Sequence, residues 1–479
     1  MISPPASADR RAVDDIVLEE LEDNLPAGVE TARVRRGLIV FVIALVVSWL
    51  AYQWMPFETA PKKGLALLLF IAILWLTEAV HTTLTALMVP VGALLLGFPD
   101  FNTAKAFATF ADPVIFLFFG GFALATALHV QQLDRKIAFW LMSLSGSHLG
   151  VAALLLFAVT AGLSMWISNT ATAAMMLPLA MGIMSHLDRK TERKTYVFIL
   201  LGIAYSASIG GLGTLVGSPP NAIAARAIHM DFAGWMKVGF PLMLILMPIM
   251  VFTLWLVFRP NLNRKISVPT EVIPWTLRRV LTMVVFACTA LAWIFGTTVS
   301  EVMKVTAPDT FIAMTAAVVI ITLGLASWGQ VSANTDWGVL FLFGGGLTLS
   351  GLLRSSGASA VLGDQVAAFL TGAGPLLIIL GVTTFIIILT EFTSNTASAA
   401  LLVPVFAAIA ERMGMPPVVL VLMIGIGASC AFMLPVATPP NAIVYGTGQV
   451  AQSDMIKAGG VLNVFCVVVL TLWGYFFLR

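Results

Sequence analysis

Two copies of a Ser-Asn-Thr tripeptide supply the side chains of this sequence that are best suited to binding ions. Ser168-Asn169-Thr170 recurs in the second half of the chain as Ser394-Asn395-Thr396, and each copy lies between two apolar stretches. Three consecutive polar residues are costly to expose to lipid, so each copy should line a polar cavity. Hydroxyl and amide oxygens can coordinate a cation, while O–H and N–H groups can donate to an anion. One copy alone could simply hold two helices together, but two symmetric copies favour a binding site.

A second duplicated motif predicts two broken helices. Gly217-Ser218-Pro219-Pro220-Asn221 recurs, at nearly the same spacing, as Ala437-Thr438-Pro439-Pro440-Asn441. Two adjacent prolines cannot continue a helix, because both lack an N–H and clash with the preceding turn. Each break frees backbone carbonyls, which membrane proteins tolerate only beside a cavity or packed protein. A plain proline kink is the alternative, but the duplication favours a second contribution of oxygen ligands, which suit a hard cation such as Na⁺.

These motifs belong to a longer internal repeat. Upstream of them, Asp112 followed by Gly120-Gly121 matches Asp336 followed by Gly344-Gly345, again at nearly the same spacing. An ordered set of recurring elements indicates a duplicated fold. The glycines are predicted to let helices approach closely.

Charge is scarce in the apolar part of the chain. Glu78 and Glu391 are the clearest intramembrane acids, and neither motif contains Lys or Arg. Glu391, three residues before Ser394, could tune a site or a proton, or could simply join two helices. A bound anion must then be neutralised by helix ends, Asn and hydroxyl groups, and co-bound cations. The sequence contains neither a zinc or phosphate-loop spacing nor a nucleophile–base pattern, so it predicts a protein that is not an enzyme and is not driven by ATP.

The composition sets the fold class. Hydrophobic residues make up 59% of the 479 residues and charged residues 10%, against about 25% charged in soluble domains. The mean hydropathy is +0.97. This composition excludes a soluble enzyme and a nucleic-acid binder, and predicts an all-α polytopic membrane protein in contact with lipid. Eight of the 24 acidic residues fall within residues 1–36, which we predict to be a cytosolic acidic tail.

Apolar stretches of about 20 residues predict eleven membrane spans. Two longer stretches, 137–186 and 357–412, contain breaks and are predicted to be re-entrant hairpins, each a pair of helical arms. With the N-terminus inside, 17 of the 26 Lys and Arg residues fall on the cytoplasmic side, as the positive-inside rule requires. The two hairpins then enter from opposite sides, which makes the repeat inverted in topology and typical of secondary transporters. The predicted spans are 37–55, 64–80, 84–98, 113–131, 195–228, 235–258, 280–298, 310–328, 337–354, 416–452 and 458–478.

From about residue 37 to the C-terminus the sequence resembles the divalent anion/sodium symporter family of dicarboxylate and citrate transporters. Residues 163–172 (LSMWISNTAT) resemble that family's first signature, and residues 214–223 and 434–443 resemble its proline breaks. The resemblance implies a homodimer that works by an elevator mechanism, with a scaffold domain and a moving transport domain. The implied units are the scaffold at 37–136 and 263–356 and the transport domain at 137–262 and 357–479.

The resemblance also implies ligands, residue by residue. The first sodium ion would be held by Ser164, Ser168, Asn169 and Gly217, and the second by Thr390, Thr393, Asn395 and Ala437. The dicarboxylate would contact Asn169, Thr170, Ser394, Asn395, Thr396, Thr438 and Pro439. Several sodium contacts in this family are backbone carbonyls, so side-chain identity at Thr393 and Ala437 carries little weight.

The sequence therefore predicts a sodium-coupled importer of C4-dicarboxylates (succinate, malate, fumarate) in a bacterial inner membrane. The alternative is a sodium-independent dicarboxylate or tricarboxylate exchanger, which shares the architecture. Both Ser-Asn-Thr motifs are complete, which favours sodium coupling. A channel is disfavoured, because an inverted repeat with broken helices is typical of alternating access.

Overall fold

The structure, a computed structural model, describes residues 27–477 except 100, 147, 186, 190, 267–270 and 370–371. Most of the predicted acidic tail, residues 1–26, lies outside the described residues. The described part contains 22 α-helices, eleven in each half of the chain, and is all-α as predicted. The helices of the first half are α1 (Ala27–Trp54), α2 (Thr59–Thr77), α3 (Thr82–Leu96), α4 (Thr103–Ala108), α5 (Pro113–Val130), α6 (Leu133–Ser143), α7 (Leu149–Ser164), α8 (Asn169–Ile183), α9 (Arg193–Gly210), α10 (Pro219–Ala227) and α11 (Phe232–Phe258). Those of the second half are α12 (Leu277–Ile294), α13 (Gly296–Met303), α14 (Pro308–Thr322), α15 (Trp328–Ala333), α16 (Trp337–Ser355), α17 (Ala358–Phe369), α18 (Pro375–Thr390), α19 (Asn395–Arg412), α20 (Pro417–Gly427), α21 (Pro439–Gly446) and α22 (Gln452–Phe477).

The helices of the two halves follow the spacing of the sequence repeat. The same number of residues separates the first residues of three helix pairs: α3 and α14, α7 and α18, and α8 and α19. This number also separates the two Ser-Asn-Thr motifs. Helices α10 and α11 precede α21 and α22 by the slightly shorter spacing of the Pro-Pro motifs. Six helices of the described part have proline at their first or second position. Proline suits that position, because the first N–H groups of a helix have no intrahelical partner.

Eight described helices are long and apolar enough to cross a membrane, or nine if α13 and α14, bent by 85°, form one span. They match eight of the eleven predicted spans. The predicted span 84–98 becomes α3, which has only 15 residues. Span 310–328 falls in the bent pair, and span 416–452 divides into the short helices α20 and α21. The total of eleven spans stays a prediction.

Each apolar stretch that was predicted to be a pair of arms contains three helices. The hairpin arms are α7 with α8 and α18 with α19, and a separate helix, α6 or α17, precedes each pair. The breaks before the arms coincide with Gly146 (φ 61°) and Gly372 (φ 89°). Glycine adopts these left-handed values without the Cβ clash that other residues meet.

The two halves interlock at their broken helices. Helix α9 is buried from Thr195 to its end at Gly210, and it contacts α21 of the other half. In the same way α20 contacts α10, where a methyl group at Gly425 would collide with the Cβ of Ala224. The Tyr205 hydroxyl of α9 donates to the carbonyl oxygen of Phe432 at 2.7 Å. The two broken helices therefore form one body at the centre of the protein.

The duplicated glycines pack helices as predicted. A methyl group at Gly120 of α5 would collide with the Ala313 carbonyl oxygen of α14. In the second half, a methyl group at Gly345 of α16 would collide with the Ala86 carbonyl oxygen of α3. Only glycine permits these backbones to approach so closely.

Five ion pairs and one histidine–carboxylate hydrogen bond between described residues can be assigned to the two predicted sides of the membrane. Each pair joins two residues that the charge-derived topology places on the same side of the membrane. The pairs on the predicted inner side are His129–Asp134, Arg135–Glu271, Arg193–Asp454 and Arg264–Glu192. The pairs on the predicted outer side are Arg226–Asp112 and Arg412–Asp364.

Candidate functional site

A cavity of about 690 Å³ lies where the hairpin tips meet the broken helices. Both Ser-Asn-Thr motifs and both Pro-Pro motifs line it, although the two copies of each come from opposite halves of the chain. The residues predicted to contact the anion all line this cavity: Asn169, Thr170, Ser394, Asn395, Thr396, Thr438 and Pro439. Their roles as ligands stay predictions.

A cluster of oxygen atoms lies below the first hairpin tip. The hydroxyl oxygen of Ser164, at the end of α7, lies 2.6 Å from Asn169 Oδ1 and 2.7 Å from the Ala207 carbonyl oxygen. Ser164 is fully buried. One hydroxyl hydrogen cannot donate fully to two acceptors, so the cluster has more lone pairs than donors. Such a surplus of oxygen lone pairs suits a hard cation.

Two glycines pack against the first cluster and leave no room for a side chain. A methyl group at Gly211 would lie 2.5 Å from Asn169 Oδ1 and 3.0 Å from the Gly217 carbonyl oxygen. A methyl group at Gly217 would lie 2.5 Å from the Gly211 carbonyl oxygen. The structure thus brings together three of the four residues predicted for the first sodium ion: Ser164, Asn169 and Gly217.

The second hairpin tip has the equivalent cluster. The hydroxyl oxygen of Thr390 lies 2.7 Å from Asn395 Oδ1 and 2.8 Å from the Ala428 carbonyl oxygen. Thr390 occupies the position of Ser164 in the repeat, and it is also fully buried. Two of the four residues predicted for the second sodium ion therefore meet in one cluster.

The hydroxyl groups of three other predicted residues are used elsewhere. Ser168 Oγ accepts the Ala171 N–H at 3.2 Å and thereby caps α8. Thr393 Oγ1 lies 2.7 Å from Ser398 Oγ and donates to the carbonyl oxygen of Leu389 at 3.0 Å. The Ser394 hydroxyl caps α19, and Ala437 lines the cavity. A contact between an ion and Ala437 would have to use a backbone carbonyl, and the resemblance implies that Thr393 can do the same.

The asparagine after each Pro-Pro pair holds the break in place. The amide nitrogen of Asn221 donates at 2.8 Å to the carbonyl oxygens of both Gly211 and Thr214. Asn441 donates in the same way to the carbonyl oxygens of Ala431 and Leu434, at 3.1 and 3.0 Å. Both asparagines are fully buried. Each therefore fixes the non-helical backbone that separates the two helices of a broken pair.

Four helices begin at the cavity wall: α8, α10, α19 and α21. Their N-terminal ends carry partial positive charge, which favours an anion. Among the described residues the wall includes no Lys or Arg, whereas it does include the acids Glu78 and Asp336. Near the motifs a dianion would meet helix ends, hydroxyl groups and the amides of Asn169 and Asn395, none of which carries a full positive charge, so a co-bound cation would supply it.

Several cavity-lining residues outside the motifs belong to one predicted side of the membrane. Glu78, His129, Asn334 and Asp336 line the cavity, and the charge-derived topology places all four at the inner ends of their helices. On the predicted outer side, the Arg226 guanidinium binds both carboxylate oxygens of Asp112 at 2.8 to 3.1 Å. In the predicted topology, these four wall residues therefore lie on the inner side and the ion pair lies on the outer side.

Sequence reasoning missed several parts of this site. The carbonyl oxygens of Ala207 and Ala428 carry no side-chain signal, so a motif search cannot find them. Asn221 and Asn441 stood inside the duplicated motif, and their duplication was the signal that could have assigned them a role. The described residues include no group of three or more His, Cys, Asp and Glu residues that could hold a metal ion.

Comparisons with known proteins agree with this architecture. Residues 32–479 match the model of the sodium:sulfate symporter transmembrane region. An uncharacterized transporter of Haemophilus influenzae is 54% identical over 93% of this chain and 98% of its own length. The sodium-dependent dicarboxylate transporter SdcS of Staphylococcus saprophyticus is 33% identical over 92% of this chain and 90% of its own.

Among solved structures, the YdaH transporter of Alcanivorax borkumensis has a TM-score of 0.53. It is 14% identical, and the match covers 82% of this chain and 98% of the other, which supports the fold alone. The matching family consists of membrane transporters and not of enzymes. With its apolar spans, duplicated motifs and near full-length family match, the chain belongs to the sodium:sulfate symporter family, the divalent anion/sodium symporters, and is a multi-pass membrane transporter.

Proposed function

We propose that the protein is a sodium-coupled secondary active importer of C4-dicarboxylates such as succinate, malate and fumarate, in a bacterial inner membrane. The observation that carries this proposal is the pair of equivalent oxygen clusters at Ser164–Asn169 and Thr390–Asn395. The similarity to a sodium-dependent dicarboxylate transporter supports the same choice of ion and anion.

Coupling follows from the position of the clusters below the hairpin tips. Asn169 and Asn395 each belong to a cluster through their side chain and also line the cavity. A sodium ion on Oδ1 would fix the amide and leave its N–H₂ group to donate to the anion. The ion and the anion thereby stabilise each other's binding, and this coupling free energy is reciprocal.

We propose an elevator mechanism for the movement across the membrane. Hairpins α7–α8 and α18–α19 with the broken helices α9–α10 and α20–α21 would move as one transport domain, since the two halves interlock there. The scaffold would hold a second copy of the chain in a homodimer. The cavity wall and the outer ion pair Arg226–Asp112 favour an inward-open conformation for this structure.

The first experiment is uptake of radiolabelled succinate into proteoliposomes, driven by an inward gradient of sodium or of potassium. Uptake with sodium only is the expected result. Uptake in either salt, accelerated by internal dicarboxylate, would establish the exchanger instead. If succinate does not enter in either salt, the assay is repeated with sulfate and citrate, and entry of one of these would replace the dicarboxylate.

The variants Asn169→Ala and Asn395→Ala test the two clusters. Each should abolish sodium-driven uptake, because each removes an oxygen ligand and an amide donor at once. Asn334→Ala is the matched control, since this asparagine lines the cavity wall but belongs to neither motif. Thermal unfolding should stay within a few degrees of the parent protein. Sodium-driven uptake that persists in both motif variants would contradict the proposed sites.

A further inference from the structure

A buried carboxylate joins three elements beside the second cluster. Glu391 follows α18, three residues before Ser394, and is 2% exposed. Its oxygens accept consecutive backbone N–H groups from Phe432 at 2.7 Å, Met433 at 2.9 and 3.1 Å, and Leu434 at 3.1 Å. The side-chain amide of Asn463, in α22, donates a further hydrogen bond at 2.7 Å.

Two of the peptide units whose N–H groups donate to Glu391 also accept a hydrogen bond at their carbonyl oxygen. The Ala431–Phe432 unit gives its N–H to Glu391, and its carbonyl accepts from Asn441 at 3.1 Å. The next unit gives the Met433 N–H to Glu391, and its carbonyl accepts from Tyr205 at 2.7 Å. Residues 428–438 form the non-helical linker between α20 and α21. Glu391 therefore fixes the linker that supplies the Ala428 carbonyl to the second cluster.

The first half of the repeat has methionines where the second has these polar groups. The spacing of the repeat places Met165 opposite Glu391, Met243 opposite Asn463 and Gly213 opposite Met433. The three residues of the first half are also neighbours: a methyl group at Gly213 would lie 3.0 Å from Met165 Cγ and 3.0 Å from Met243 Sδ. The same junction thus exists in both halves, but it carries a charge in only one.

We propose that Glu391 is a positioning residue for the second sodium site and makes the two sites unequal. This inference rests on the proposed sodium coupling. A carboxylate that orders the linker and adds negative charge in a region of low dielectric favours a cation in the adjoining cluster. The second site therefore binds sodium more tightly and fills before the first, which has only the thioethers of Met165 and Met243 at the equivalent place.

The same geometry argues against a proton-carrying role for Glu391. Five hydrogen bonds from four donor groups reach its two oxygens. A protonated carboxyl would set its O–H against one of these N–H groups and lose a charge-assisted bond.

Two variants and one control test the inference. Glu391→Gln removes the charge and places an amide N–H₂ against backbone donors. The double variant Glu391→Met with Asn463→Met copies the apolar junction of the first half, and it serves as the test if the glutamine variant does not fold. Met165→Leu is the control, because it changes the equivalent position without changing its charge.

Two readouts are measured for each protein as a function of sodium concentration: thermal stabilisation without dicarboxylate, and initial succinate uptake. We expect the sodium concentration for half-maximal effect to rise about tenfold in both Glu391 variants, the size of change that follows when charge-assisted hydrogen bonds become neutral. The KM for succinate at saturating sodium should stay within about twofold, because both sites are then filled. Met165→Leu should behave as the parent.

The possible outcomes separate the two proposals. An unchanged sodium dependence in a folded Glu391 variant overturns the inference and leaves sodium coupling standing. A tenfold rise in the sodium concentration for half-maximal effect, accompanied by a tenfold rise in the KM for succinate at saturating sodium, also overturns it. That combination is expected from general structural damage. A parent protein that responds to sodium in neither readout overturns the proposed function itself.

Discussion

Removing the ion pair between Arg226 and Asp112 should make the outer side of the cavity open more often. Asp112 caps α5 in the predicted scaffold, and Arg226 lies near the end of α10 in the predicted transport domain. The guanidinium reaches both carboxylate oxygens, at 2.8, 3.0 and 3.1 Å. If the transport domain slides past the scaffold, this pair exists in only one of the two end states. It then stabilises that state alone.

The size of the effect follows from the exposure of the two side chains. The Arg226 side chain is 39% exposed and that of Asp112 is 11% exposed. A bidentate, partly buried ion pair stabilises a state by more free energy than an exposed pair does. Solvent screens the guanidinium here, so the contribution is about 1 kcal/mol. This free energy corresponds to roughly a fivefold change in the ratio of the two states. Asp112→Asn is a suitable partner variant, because asparagine also caps helices well.

The assay is the labelling rate of a cysteine placed in the cavity at Val436, which is 82% exposed there. The three native cysteines, of which Cys288 is exposed, are replaced by serine or alanine. An impermeant maleimide is then added to the outer side. Arg226→Gln should raise the labelling rate about fivefold. Arg226→Gln combined with Asp112→Asn should give no more than either change alone.

The pair Arg412–Asp364 provides the control. It lies on the same predicted side but joins α19 to α17 within the predicted transport domain, and its side chains are 48% and 60% exposed. Arg412→Gln should leave the labelling rate unchanged. The reasoning would be refuted by an equal rise in Arg412→Gln, by strictly additive effects of the two Arg226–Asp112 changes, or by slower outer labelling.

Two further predictions concern the oxygen clusters. Thr390→Val should raise the sodium requirement of uptake about tenfold, because it removes a buried hydroxyl oxygen from the second cluster, whereas Thr390→Ser should restore the parent requirement in a sodium titration. Gly211→Ala should abolish uptake in the proteoliposome assay, since the added methyl group would lie 2.5 Å from the amide oxygen of the first motif. Gly162→Ala, where a methyl group meets no atom within 4 Å, should transport normally, and equal activity of the two alanine variants would contradict the close packing around the first cluster.

The sequence was informative wherever a local chemical rule decides the structure. Proline pairs start α10 and α21 at Pro219 and Pro439 because a helix can begin but not continue at proline. The polar tripeptides could be placed at hairpin tips because lipid excludes them from other positions. The duplicated glycines could be assigned to close helix contacts for the same kind of local reason.

The rest depends on contacts between distant parts of the chain. Nothing in the neighbourhood of Ser164 or Thr390 specifies which backbone carbonyl will approach it. Glu391 could be read as a tuning group, a proton carrier or a helix contact until its donors were known. The extra helices α6 and α17 were hidden within long apolar stretches, where composition alone does not reveal a change of direction.

The burial of α9 has a consequence for how the protein is made. This helix is synthesised well before α21, the helix of the second half that it contacts, and eleven other helices lie between the two in the described part of the chain. Until α21 is made, the buried polar groups of α9, such as Ser206 and Ser208, must face lipid, other early helices or the insertion machinery. The first half therefore cannot complete its packing before α21 is made, and the central contacts between the two halves form only when the last helices have entered the membrane.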